Sequence, residues 1–180
     1  MISFEDALFG KLMWEVGVSG ALDKELEQAL AEEDPLCDVT LELAYSRDDP
    51  NAQLKALNKF LSGVPTESID IDAVAERLLD FFAKKYSSDP KDLKSVSEMM
   101  WKTALYSELQ DDNDLIDHLY YVGDYYYSQV EIGILPENDY RECLEALLYR
   151  REIVSPWKGY APKQGIFTSI KNIFAKRDRR

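Results

Sequence analysis

Residues 34–63 read DPLCDVTLELAYSRDDPNAQLKALNKFLSG, and whether this segment forms strands or helices decides the fold. The part PLCDVTLELAY (35–45) can be mistaken for a strand. Two Asp-Pro pairs argue the other way. Asp34-Pro35 and Asp49-Pro50 each place a good N-cap before proline, which suits the first helical position because the N–H it lacks would be unpaired there anyway. Apolar residues then recur at helical spacing: Leu36, Val39 and Leu43, followed by Leu54, Leu57, Phe60 and Leu61. Gly63 is placed to close the second run as a C-terminal cap. The segment reads as a helical hairpin.

The same logic extends outward. Asp89-Pro90 precedes Leu93, Val96 and Met100, a third run of this kind. Ser3 with Asp6 forms the outline of a capping box at the start of a helix over 3–17. Leu22, Leu26, Ala29 and Leu30 share a face in 21–32; Val74, Leu78, Phe81 and Phe82 do so in 71–86, and Tyr140, Leu144 and Leu147 in 138–152. Alternating runs are scarce, and no sequence period recurs. The expectation is an all-α fold, an irregular bundle of about eight helices, partly hairpin-like, joined by short loops.

Three parts are expected: an acidic helical domain over 1–154, a Pro/Gly linker or strap over 155–165 (SPWKGYAPKQG), and a basic amphipathic tail over 166–180 (IFTSIKNIFAKRDRR). Charge divides along the same lines. The net charge is −13, yet residues 158–180 hold seven cations and one acid, so the first 157 residues carry about −19. Such a body repels nucleic acid and anionic membranes and attracts basic partners. In the tail, Phe167, Ile170 and Phe174 with Lys171, Lys176 and Arg177 suit a membrane-surface helix, but docking on the acidic body or a frayed terminus is preferred.

No apolar run approaches the ~20 residues that span a bilayer, and the N-terminus does not resemble a secretion signal. Cys37 and Cys143 are far apart with no CxxC spacing, which points to buried thiols in a reducing cytoplasm.

Five of the eleven tyrosines fall within 118–127, beside the only histidine. Placed on a helix over 113–134 at about 100° per residue, Leu115, Leu119, Val122, Tyr126 and Val130 form a core stripe. Asp117, Asp124 and Glu131 recur every seven residues on the opposite side, flanked by Tyr120 and Tyr127 on one side and by Tyr121 and Tyr125 on the other. Asp111, Asp112 and Asp114 add carboxylates where the helix begins, as caps or as a continuation of the ridge. Rigid rings with a polar tip beside acids suit a basic protein partner, or else the tyrosines fill gaps between neighbouring helices. Asp111, Asp112, Asp114, Asp117, Tyr120, Tyr121, Asp124, Tyr125, Tyr127 and Glu131 are the candidate partner-binding residues.

Catalytic signals are missing. The sequence has no HExxH, phosphate loop, GxSxG elbow or Rossmann glycine pattern, and one histidine with two separated cysteines suits no common transition-metal site. His118 reads as structural. No enzyme activity and no cofactor are expected.

Taken together, WEVGVSGALDKELEQAL (14–30), DPLCDVTLELAYSRDDPNAQLKALNKFL (34–61) and the acidic tyrosine-rich stretch resemble the small, acidic, all-helical immunity proteins found beside bacterial polymorphic and contact-dependent toxins. The resemblance covers roughly residues 10–150 in style, and the basic tail departs from it. It implies a cytoplasmic inhibitor that occludes the active or substrate-binding surface of a cognate, basic, nuclease-type toxin domain. The alternative is a helical adaptor or chaperone for a basic or amphipathic segment.

Overall fold

A computed structural model describes residues 1–109 and 113–154. Among these residues there are eight α-helices and no strand: α1 (Phe4–Glu15), α2 (Asp23–Glu32), α3 (Asp38–Tyr45), α4 (Pro50–Leu61), α5 (Ile71–Ser88), α6 (Leu93–Ser107), α7 (Asp114–Tyr125) and α8 (Glu137–Glu145). The expected all-α architecture is what the chain adopts. The proposed linker and basic tail lie outside the described residues.

Local chemistry explains most of the helix boundaries. Ser3 Oγ accepts the Asp6 N–H while the Asp6 carboxylate accepts the Ser3 N–H, so the capping box closes reciprocally. Asp49 caps α4 through the N–H groups of Asn51 and Ala52, with Pro50 at the first helical position. Just past Leu61 and the cap residue Ser62, Gly63 adopts φ +80°, a left-handed conformation that suits glycine.

The other two Asp-Pro pairs do not start helices. Helix α3 begins four residues after Asp34, at Asp38, with Cys37 in the capping position but without a capping side chain. A carboxylate from outside the helix replaces the cap: Glu33 accepts the Cys37 N–H at 3.1 Å and a hydrogen bond from Thr40 Oγ1. Asp89 still belongs to the end of α5, donating its N–H to Lys85 O, and Asp92 caps α6 through the Ser95 N–H. Because proline disfavours a helical conformation in the residue before it, Asp89-Pro90 terminates a helix and does not open one.

Helix α1 is the centre of the bundle, touching α4, α5 and α6, with Ala7, Leu12 and Met13 fully buried. Helices α3 and α4 pair as the expected hairpin. The expected stripes are largely buried: Val74, Leu78 and Phe82 in α5; Leu93, Val96 and Met100 in α6; Tyr140, Leu144 and Leu147 at the C-terminal end. Leu30 departs from the pattern by being exposed, and Leu36, Leu54, Phe60, Leu61 and Phe81 are only half-buried.

The tightest pairing is α6 with α7. It depends on Gly123, where a Cβ would lie 2.7 Å from both Ser97 O and Trp101 N. A missing side chain lets the two backbones meet.

Candidate functional site

Asn113 caps helix α7, its side-chain Oδ1 accepting the N–H groups of Leu115 and Ile116. The Asn113 amide donates to Asp72 of α5, tying the start of α7 to the bundle. Ile116, Leu119 and Val122 are buried, while Leu115, Tyr126 and Val130 are half-buried at the core's edge. Ile116 belongs to the core stripe although the sequence reading omitted it.

The helix does not continue straight to residue 134. Residues Tyr126–Val130 form a π turn, in which the Glu131 N–H reaches Tyr126 O, five residues back. A π turn accommodates an extra residue, so positions beyond it rotate away from the register of a straight α-helix. The ridge drawn at seven-residue spacing therefore splits. Asp117 and Asp124 share a face inside the α-helical part. Glu131 is exposed and its carboxylate pairs with Lys94 of α6 at 2.6 Å.

The tyrosines divide the same way. Tyr121 is four residues after Asp117 and three before Asp124, and Asp114 is one turn earlier, so these four residues form one strip of α7. The Tyr120 and Tyr121 rings meet edge to face, 5.5 Å apart, beside it. Tyr125 is half-buried, and desolvation raises its phenol pKa above the ordinary range. Tyr127 turns to α6: its ring lies 6.3 Å from Trp101 and 5.8 Å from the Lys94 ammonium, and its hydroxyl is bonded to Glu98. Burial, followed by this bond to a carboxylate, pushes its pKa up to about 12. Tyr126, assigned to the core, is half-buried with its ring 5.6 Å from the buried Tyr140.

The fold thus brings Asp114, Asp117, Tyr120, Tyr121, Asp124 and Tyr125 together on α7 and joins Tyr127 and Glu131 to α6. Asp111 and Asp112 lie outside the described residues. Among the described residues neither Asp114 nor Asp124 has an ion-pair partner. Near the helix start, a groove of about 570 Å³ lined by Glu67, Asp70, Asp72 and Asn113 adds further carboxylates. His118 Nδ1 is 2.7 Å from Asp114 O, one turn back, and the ring is half-buried. Among the described residues no three His, Cys, Asp or Glu side chains are placed to hold a metal ion.

Sequence reasoning missed Ile132 and Ile134, which are 62% and 56% exposed on a turn next to Glu131. The turn is well hydrogen-bonded: Gly133 N–H to Val130 O, and the N–H groups of Ile134 and Leu135 both to Gln129 O. Gly133, at φ +78°, allows the reversal. The stretch EIGIL carried the signal, two β-branched residues flanking a turn glycine.

Cys143 is buried and Cys37 only half-buried, and the two are not joined. Among the described residues no helix is long and apolar enough to cross a membrane. Comparison with protein-family models, with curated proteins and with solved structures gives no match.

Proposed function

We propose that the protein is an inhibitor that binds a basic partner domain through the exposed face of α7, in the manner of the immunity proteins that its sequence resembles. The observation that carries this reading is the strip Asp114–Asp117–Tyr121–Asp124 with Tyr120 and Tyr125 beside it. Asp114 and Asp124, which have no ion-pair partner among the described residues, attract a basic surface, and half-exposed tyrosine rings add contact area without much loss of conformational freedom. Ile132 and Ile134 offer apolar anchors near the same helix end.

The global charge supports the same direction. Seven of the 21 cations lie in residues 158–180, leaving fourteen in the body, and among the described residues nine of those fourteen are ion-paired with the body's own acids. The excess carboxylates outnumber any internal countercharge. A nuclease-type domain must present cations to hold phosphates, and an acidic inhibitor competes for the same cations. Occlusion is then steric and electrostatic, with no chemistry by the inhibitor, and takes place in the cytoplasm.

The test is capture from the organism's own lysate at low and moderate salt. The reading expects one near-stoichiometric basic partner that is toxic when expressed without this protein. Several unrelated clients would favour an adaptor instead, and an empty capture would contradict both.

A further inference from the structure

A trough of about 500 Å³ opens between the C-terminal end of α1 and one side of α5 and α6. Val16, Val18, Phe81 and Met99 supply an apolar lining, and Lys84 and Lys85 supply its charge. We propose that this trough is a docking site for an amphipathic helix of a partner protein that carries acidic residues beside its apolar stripe.

Shape gives the first argument. Phe81, Lys84 and Lys85 stand at i, i+3 and i+4 on α5, so they form one strip, with the cations one turn nearer the helix end than the ring. A channel bounded by such a strip and by Met99 of the neighbouring helix has the form into which a third helix packs its side-chain ridges. At Gly17, with φ +82°, no heavy atom lies within 4 Å of where a Cβ would stand, so the α1 end of the trough is open.

Charge gives the second. In a body of about −19 most cations are neutralised by acids of the same chain, as Arg77 is by Asp6 and Glu25. Among the described residues Lys84 and Lys85 have no acidic partner. They sit beside the apolar lining of the trough, while the excess carboxylates over the rest of the body repel an acidic visitor. An acidic helix is therefore drawn to this place and to few others. The chain's own residues 166–180 have the wrong sign, since they would bring Lys171, Lys176 and Arg177 against these two lysines. This site is separate from α7 and from the basic partner proposed for it.

Fluorescence anisotropy on the full chain tests the proposal with three labelled synthetic peptides. One is an amphipathic helix with leucines at i, i+3, i+4 and i+7 and glutamates beside them. The second replaces its glutamates by lysines, and the third is residues 166–180. The glutamate peptide is expected to bind at least about tenfold more tightly than the lysine peptide, and Lys84→Glu with Lys85→Glu to weaken it by about the same factor. Lys84→Gln with Lys85→Gln, which removes the charge without reversing it, should fall between, and circular dichroism verifies that each variant is folded. Equal binding of both designed peptides, no binding of either, or tightest binding of the 166–180 peptide would overturn the proposal. So would a concentration-dependent dimer, seen by sedimentation, that the double charge reversal abolishes, because the occupant would then be a second copy.

Discussion

Gly123→Ala sets two physical effects against each other at the junction that positions α7. Alanine in a helix interior is favoured over glycine by about 1 kcal/mol, so at a free position the substitution would stabilise. Here the new Cβ would meet Ser97 O and Trp101 N at 2.7 Å and Trp101 Cβ at 2.8 Å. Ordinary non-bonded carbon contacts are about 3.5 Å or more, so α7 must retreat by roughly 0.8 Å. Two of the three atoms are backbone, and no rotamer change can move them aside. Overpacking of this kind costs about 1–3 kcal/mol, and backbone contact places the cost at the upper end. The net expectation is a loss of about 2 kcal/mol, which lowers the Tm of a chain this size by roughly 4–8 °C. Thermal unfolding followed by circular dichroism, with urea titration beside it, measures this directly. Gly10→Ala is the control, because the three atoms nearest its Cβ all belong to the Leu22 side chain, which can rotate, and its loss should be smaller. An unchanged or raised Tm for Gly123→Ala would refute the close-approach reasoning.

Three other predictions concern single groups. Tyr140→Phe removes a buried hydroxyl bonded to Ser97 Oγ while Ser97 still donates to Leu93 O, so urea unfolding should register a loss of about 1 kcal/mol. The Glu33 carboxyl is held down at about 2, chiefly by the Cys37 N–H, with hydrogen bonds from the N-terminal ammonium and Thr40 assisting. Its folded pKa is below the unfolded value, so its contribution is complete above about pH 4.5 and disappears as pH falls toward 2; Glu33→Gln should flatten stability over that window. Tyr127 moves the opposite way: its phenol ionises more readily in the unfolded chain, so stability should fall between about pH 10 and 12, and Tyr127→Phe should remove one late-titrating phenol from the ultraviolet titration.

Patterns that rest on local chemistry were legible in the sequence. The Ser3–Asp6 box, the Asp49-Pro50 start and the Gly63 stop depend on residues within a few positions of one another, and each forms as read. Asp34 and Asp89 failed as caps for reasons that lie in their neighbours: Glu33 supplies the hydrogen bonds at the start of α3, and α5 runs through Ser88 up to Asp89. The tyrosine stretch was legible as a helix, and its face was legible as far as Tyr125. Beyond that point the calculation assumed uniform rotation, and the π turn at Tyr126–Val130 invalidated it. No local residue preference announces a π turn, so the attachment of Tyr127 and Glu131 to Lys94, Glu98 and Trp101 could not be read. The same limit hid the exposed Ile132 and Ile134, whose position depends on how the turn leaves that helix.

The most direct measurement of the central claim uses the captured basic partner in isothermal titration, with the native chain compared against Asp114→Lys with Asp124→Lys. Asp114 is exposed and Asp124 half-exposed, and among the described residues neither has an ion-pair partner, so the double variant should retain the native Tm within a few degrees. If α7 is the binding face, affinity falls by at least about tenfold, and the native affinity itself weakens steeply with salt. Unchanged affinity in a folded variant would mean that the partner binds elsewhere and that α7 is not the inhibitory surface.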